Sequence, residues 1–294
     1  MNTNDTSAFP PKRLLVRYGR ATALLCMWGL FFAGGALLHL GISLFGGRFR
    51  WKWISRLTWA FSILCARLLN IKITLQGMKD HLREGGTVIV SNHMGYLDGV
   101  VLGAIFPVIY VSKKEVRGWP LIGWWTALIG TIFVDRRRKE KTPLLVDEIM
   151  KKLRQKANIL IFPEGTSSDG EKLLPFQTVS FAAPLIARVP VVPVTLTYTK
   201  IDHQDVSAAN RDQIYWYGEM EFMGHFWNLL GLRTIEVLVT VHPKVEISRY
   251  ENNSSGRKQL SRDCYEIIAG SNLREQKRSL PARTFQASPA LTQS

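Results

Sequence analysis

The sequence predicts an α/β fold, a mostly parallel mixed sheet flanked by helices, with an N-terminal hydrophobic helical membrane anchor. Three observations predict it. Short β-rich apolar runs alternate with helical stretches beyond Asn70, Ala21 to Phe45 is almost wholly apolar, and 38 Lys+Arg stand against 23 Asp+Glu. Strands separated by helices build largely parallel sheets buried on both faces. A net charge of +15 favours a polyanionic partner, either nucleic acid or the anionic face of a membrane. Nucleic acid fits poorly, because the basic residues flank apolar stretches and form no recognisable binding module.

Residues 1–20 form a basic N-terminal segment with Lys12, Arg13, Arg17 and Arg20. Residues 21–70 are expected to be membrane-anchoring helices. Ala21 to Phe45 carries His39 as its single ionisable group and exceeds the roughly 20 apolar residues that cross a bilayer. A cleaved signal peptide would have a shorter apolar region and a small-residue cleavage site. Arg48, Arg50, Lys52 and Arg56 follow the stretch, so cations on both sides leave its orientation open. Trp51 to Leu69 mixes apolar residues with Trp and basic residues, which suits the headgroup layer or a buried helix. A single span with an interfacial helix and a hairpin dipping into one leaflet both fit.

Residues 71–271 are expected to form the catalytic α/β domain, with strands at 87–92, 108–112, 131–135, 158–162, 191–198 and 234–242. Leu144 to Gln155 has helical spacing and a basic last turn. Residues 272–294, rich in Ser, Gln, Pro and Arg, read as a disordered tail. Cys26, Cys65 and Cys264 are scattered, which argues against a disulfide framework and suits a domain facing the reducing cytoplasm at the inner membrane.

Four segments carry the chemistry. SNHMGYLDG (Ser91 to Gly99) follows a buried strand and sets His93 and Asp98 five positions apart at a turn. A carboxylate that accepts the imidazole Nδ1–H leaves Nε2 free to take a proton from an alcohol. Such a pair also arises by chance around a core histidine. FVDRRRKEK (Phe133 to Lys141) suits a phosphate clamp, although a solvated face or an anchor would show the same charge run. FPEGTSSDG (Phe162 to Gly170) places Glu164, Gly165 and Thr166 after a strand, where backbone N–H groups can hold an oxyanion or phosphate. An ordinary turn before a helix would look alike. VPVVPVTLTY (Val189 to Tyr198) reads as the wall of a site.

In this combination and order the segments resemble the 1-acylglycerol-3-phosphate acyltransferase family of phospholipid synthesis. The resemblance covers Asn92-His93 with Asp98, Gly130 to Arg136, Phe162 to Ser168 and Val189 to Val194, and SKKEVRGWPLIGW (Ser112 to Trp124) is similar too. It implies that His93 is the general base and that Asp98 orients it. Arg136 would then contact the acceptor headgroup, with Glu164, Gly165 and Thr166 shaping the acceptor site. No cofactor is implied beyond a co-substrate, an acyl-CoA or acyl-carrier-protein thioester. The partners implied are that donor, a lysolipid acceptor and the bilayer. The acceptor is itself the nucleophile, and the sequence contains no G-x-S-x-G elbow.

The sequence departs from the family's pattern at two points: Ser167 stands where Arg is common, and Gln177 where Lys is common. Both remove positive charge, for which Arg137 and Arg138 can compensate. Lysophosphatidic acid is the first expected acceptor, with lyso-ornithine lipid or a larger-headed lysophospholipid as alternatives. A thioesterase, or a non-catalytic lipid-binding membrane protein, would share the dyad. A P-loop is excluded because Glu171-Lys172 follows GTSSDG. A metal site is not expected, since His39, His81, His203, His225 and His242 are dispersed and no HExxH occurs. The aromatic run from Tyr215 to Trp227 is expected to pack in the core, or else to cover the acyl site.

Overall fold

The computed structural model describes residues 11–45, 50–77, 85–119, 122–135 and 142–279. Two helices lead, α1 (Pro11–Phe45) and α2 (Arg50–Leu68). The α/β domain follows as β1 (Ile71–Gly77), β2 (Val88–Ser91), α3 (Tyr96–Ile105), β3 (Val108–Lys113), α4 (Ile122–Leu128), β4 (Ile132–Val134), α5 (Thr142–Arg154) and β5 (Asn158–Ile161). It ends with α6 (Ala182–Ala187), β6 (Val191–Ile201), β7 (Gln204–Asp205), α7 (Phe222–Leu229), β8 (Ile235–Val241) and α8 (Ser254–Ser279).

The sheet runs β1-β8-β6-β2-β5-β3-β4, with β7 paired to β6. From β6 to β4 every pairing is parallel, whereas β8 is antiparallel to β6 and takes β1 alongside in parallel. The expected mixed, mostly parallel sheet is therefore present. Every residue of β2 (VIVS) and of β5 (NILI) is buried, as central strands covered on both faces must be. Strand β1 alternates polar and apolar residues at the sheet edge, which is why no apolar run announced it. Asn92 clamps β2 to β6: its Nδ2 donates to Leu196 O at 2.9 Å and its Oδ1 accepts from Leu196 N at 2.8 Å.

The motif glycine Gly130 has a packing reason. Its φ is 73°, and a Cβ there would sit 2.2 Å from the Trp51 ring. On the same ring lies the buried Lys152 ammonium, 4.1 Å from the centroid, which also donates to Gly130 O and pairs with Glu148 at 3.2 Å. Desolvation pulls its pKa down, and the ring, carbonyl and carboxylate offset that cost. Helix α2 is thus stitched onto α5.

Helix α1 is longer than expected and lies along the domain. Its basic first turns do not hang free. Arg20 donates to Leu230 O at 3.0 Å and also to Leu232 O, Arg17 donates to Asn228 Oδ1 at 3.3 Å, and Tyr18 meets the Trp227 ring edge-on at 5.2 Å. Further on, Phe31 packs on Phe61 at 4.6 Å, and Gly35 leaves room for Leu128. At the other end of the chain, α8 carries residues 272–279 as helix, where an irregular tail was expected. The polar composition there misled, because a helix begun by packed residues such as Leu260, Cys264 and Ile268 continues past them. Residues 280–294 lie outside the described part.

Candidate active site

His93 and Asp98 meet at the C-terminal end of β2, where the chain turns into α3. His93 Nδ1 lies 2.8 Å from Asp98 Oδ2, which also accepts the N–H groups of Met94 at 2.6 Å and Gly95 at 2.9 Å. Two amides and a ring nitrogen converge on one oxygen, so the five-residue spacing closes around the helix start rather than along a helix face. A carboxylate offers only acceptors, so Nδ1 carries the hydrogen and Nε2 is left free to accept. The His93 side chain is 22% exposed and that of Asp98 1%. The imidazole faces outward on a buried support.

Tyr198, near the end of β6, supplies what the sequence did not reveal. Its hydroxyl donates to Asp98 Oδ1 at 2.9 Å, so both carboxylate oxygens are held. Burial beside that carboxylate pushes the phenol well above its ordinary range, so it stays a donor. Nothing local marks Tyr198 for this role, since its partner lies in the first turn of α3, far away in sequence.

The FPEG segment buttresses His93. Phe162 stacks on the imidazole at 4.1 Å and 15°. Gly165 N–H donates to Phe162 O at 3.0 Å, closing a turn from which the chain leaves with Gly165 at φ 78°. Glu164 Oε1 accepts His93 N–H at 2.7 Å and Oε2 accepts Leu174 N–H at 2.8 Å. Its two oxygens therefore bind backbone, and it joins the catalytic loop to the segment behind it. Desolvation pushes Glu164 up to about 7, against the pull of those two amides. Thr166 is exposed and its Oγ1 accepts from Lys113 Nζ at 3.4 Å. Among the described residues the amides of Thr166 and Ser167 have no backbone acceptor, so they are available to an anion.

Arg136 lies outside the described residues. Its neighbour Asp135 pairs with Lys114 at 3.3 Å. The aromatic run packs on the turn after β2: the Trp216 backbone N–H donates to Met94 O at 2.9 Å, and Trp216 comes so close that Gly95 has no room for a Cβ. Phe222, Trp119 and Tyr96 extend that layer. A cavity of about 640 Å³ shares Phe162 and Gly165 with the site. Its walls include Val111, Leu145, Ile149 and Val179, with Gln177, Lys114, Arg117 and Arg257 among its polar residues. Such a size and lining suit an amphiphile. Among the described residues, His, Cys, Asp and Glu nowhere gather in threes as a metal ion would require.

An imidazole with an open Nε2, a held carboxylate and a neighbouring cavity are the parts that an acyl-transfer centre would need. Comparison with known proteins agrees. A family model described as Acyltransferase matches residues 72–197. The lyso-ornithine lipid O-acyltransferase of Brucella abortus is 32% identical over 246 residues, 79% of this chain and 90% of that protein. The Rhodobacter capsulatus protein of the same name is 34% identical over 86% of this chain and 87% of its own length. The Escherichia coli 1-acyl-sn-glycerol-3-phosphate acyltransferase is 31% identical over 46% of this chain and 56% of its own length. In fold, the crystal structure of the 1-acyl-sn-glycerophosphate acyltransferase PlsC from Thermotoga maritima covers 90% of this chain and all of its own, with a TM-score of 0.56 and 17% identity. The chain belongs to the 1-acylglycerol-3-phosphate acyltransferase family, the lysophospholipid-type acyltransferases that bear the H-x4-D motif.

Two expectations follow from the geometry. Tyr198→Phe frees Asp98 Oδ1 and lets the carboxylate swing; steady-state kinetics should show kcat down about tenfold, in keeping with loss of part of a charge-assisted hydrogen bond, with KM unchanged. Glu164, raised when folded, binds more protons folded than unfolded between about 4.5 and 7. Its contribution to stability is therefore full below that window and lost as pH rises through it. Thermal melting of Glu164→Gln against the native chain across this range should show that slope vanish.

Proposed function

We propose that this enzyme moves a fatty acyl group from a thioester donor to the hydroxyl of a lyso-ornithine lipid. The observation that carries the reading is the extent of the match. Relatives named for that acceptor align over 60% to 86% of the chain, whereas the Neisseria and E. coli 1-acyl-sn-glycerol-3-phosphate acyltransferases align over 63% and 46%. Ser167 and Gln177 support it by leaving two positions uncharged where a phosphomonoester would favour cations. An ornithine headgroup is zwitterionic, and the cavity carries both signs, with Arg117 and Arg257 beside Asp135 and Glu148.

In this reading the acceptor hydroxyl approaches His93 Nε2, which takes its proton as the oxygen attacks the thioester carbonyl. Asp98 stabilises the imidazolium that forms, and the Thr166 and Ser167 amides face the oxyanion. Collapse of the tetrahedral intermediate breaks the C–S bond, and the leaving thiolate takes the proton back. The donor is a coenzyme A or carrier-protein thioester, both acidic enough for a basic surface to attract.

The chain attaches to one face of a membrane in this reading. From Arg17 to Gly35, about 27 Å of helix, α1 touches the same domain, so a perpendicular crossing would drag that domain into lipid. Leu25, Leu30 and Leu37 on α1, Trp53 on α2 and Trp124 on α4 are exposed, as a lipid-facing surface would have them.

Acyl-transfer assays with purified enzyme should give ornithine lipid from lyso-ornithine lipid at a kcat/KM above that with lysophosphatidic acid. His93→Ala should lower kcat by about 10²–10⁴-fold. Faster turnover of lysophosphatidic acid would restore the phosphate-bearing acceptor, and thioester hydrolysis unaffected by either acceptor would point to a thioesterase. In vesicles, cysteines replacing Leu14 and Leu37 in a Cys26→Ser background should react with an impermeant thiol reagent from the same side; labelling from opposite sides would establish a span.

A further inference from the structure

Gln177 and Arg257 line the same cavity, although they come from separate parts of the chain. Gln177 belongs to the segment behind the FPEG turn, where its N–H donates to Pro163 O at 2.7 Å. Arg257 comes from the first turn of α8, beyond the residues 72–197 that the family model matches. The two segments are locked together. Tyr265 on α8 donates to Leu173 O at 3.1 Å, and its ring meets Phe176 at 5.2 Å.

Arg257 stands where helix stability argues against it. The N-terminal turn of a helix presents unpaired N–H groups and a positive dipole end, so a cation there is mildly unfavourable. Helix α8 has no acidic residue in that turn to relieve it. Other cations around the cavity are engaged: Lys114 pairs with Asp135 at 3.3 Å, and Arg117 lies over the Phe133 ring at 5.8 Å from its centroid. Among the described residues no carboxylate pairs with the Arg257 guanidinium. A half-buried guanidinium without a counter-ion, on the wall of a cavity that adjoins the base, is a place for an incoming anion.

We propose that Arg257 is the residue by which this enzyme reads its acceptor: the guanidinium grips the anionic part of the headgroup where Gln177 offers no charge. Resting on the acceptor reading above, that anion is the ornithine carboxylate, whose two oxygens match the planar fork of an arginine. Recognition of the acceptor then lies partly on the C-terminal helix, beyond the residues 72–197 that the family model matches.

The test is steady-state kinetics of the full-length enzyme and Arg257→Gln, with acceptor and donor varied separately. The acceptor KM should rise about tenfold or more, while kcat and the donor KM hold. Arg257→Lys should fall between, keeping the charge without the fork. Thermal melting should not drop, because the charge removed opposed the helix dipole, so a folding defect is separable from a binding one. An unchanged acceptor KM overturns the proposal, and so does a rise confined to the donor, which would place a donor phosphate there. If the native enzyme ignores lyso-ornithine lipid, the acceptor reading fails by itself. The same comparison with lysophosphatidic acid then decides whether Arg257 holds a headgroup phosphate or nothing.

Discussion

The structure depends on one buried carboxylate. Asp98 has no solvent exposure, and it is kept by four donors that arrive from three directions: the imidazole, two consecutive amides of the β2–α3 turn, and a phenol from β6. A buried charge is tolerable only when its lone pairs are met. Meeting them fixes the order of the neighbouring parts. Strand β6 must lie beside β2, the turn must present its amides inward, and the imidazole must stand outward on the remaining lone pair. The fold and the catalytic geometry are the same constraint seen from two sides.

Around that point, motif letters turn out to be mechanical parts. Asn92 does no chemistry; it extends the β2–β6 pairing by one clamp, so that Tyr198 arrives at the right height. Gly95 is small because Trp216 crosses it, and Gly130 because Trp51 does. Glu164 looks like a reactive carboxylate in sequence, yet both its oxygens accept backbone N–H groups. Loops that must hold a reactive group in place need such braces, since their backbone has no ladder to rely on.

Much of this was legible beforehand, and the limits have physical causes. Continuous apolar runs marked the central strands within a residue, save β6, which runs three residues past its expected end, because burial on both faces leaves no polar alternation. Strand β1 escaped because IKITLQG, at the sheet edge, alternates polar and apolar residues and holds no continuous apolar run. His93 and Asp98 were readable because the turn that joins them is local. Tyr198 and Arg257 were not: Tyr198 donates to a residue far along the chain, Arg257 reaches the cavity wall only because α8 packs behind the FPEG turn, and sequence spacing carries no information about such meetings. The α8 extension through 279 was hidden by its polar composition, which reports solvent exposure and not backbone conformation.

The way α1 is fastened has a consequence for how the enzyme meets its substrate. With arginines gripping carbonyls at one end and a phenylalanine wedged at the other, helix and catalytic body move as a single raft. On the proposed attachment to one membrane face, the depth of the imidazole relative to the lipid would be a fixed dimension of the molecule. A lysolipid would then not need to leave its monolayer to react; it would only have to drift sideways until its hydroxyl came level with the ring. Turnover in such a system would follow how crowded the substrate is within the lipid sheet, rather than how much is dissolved in water.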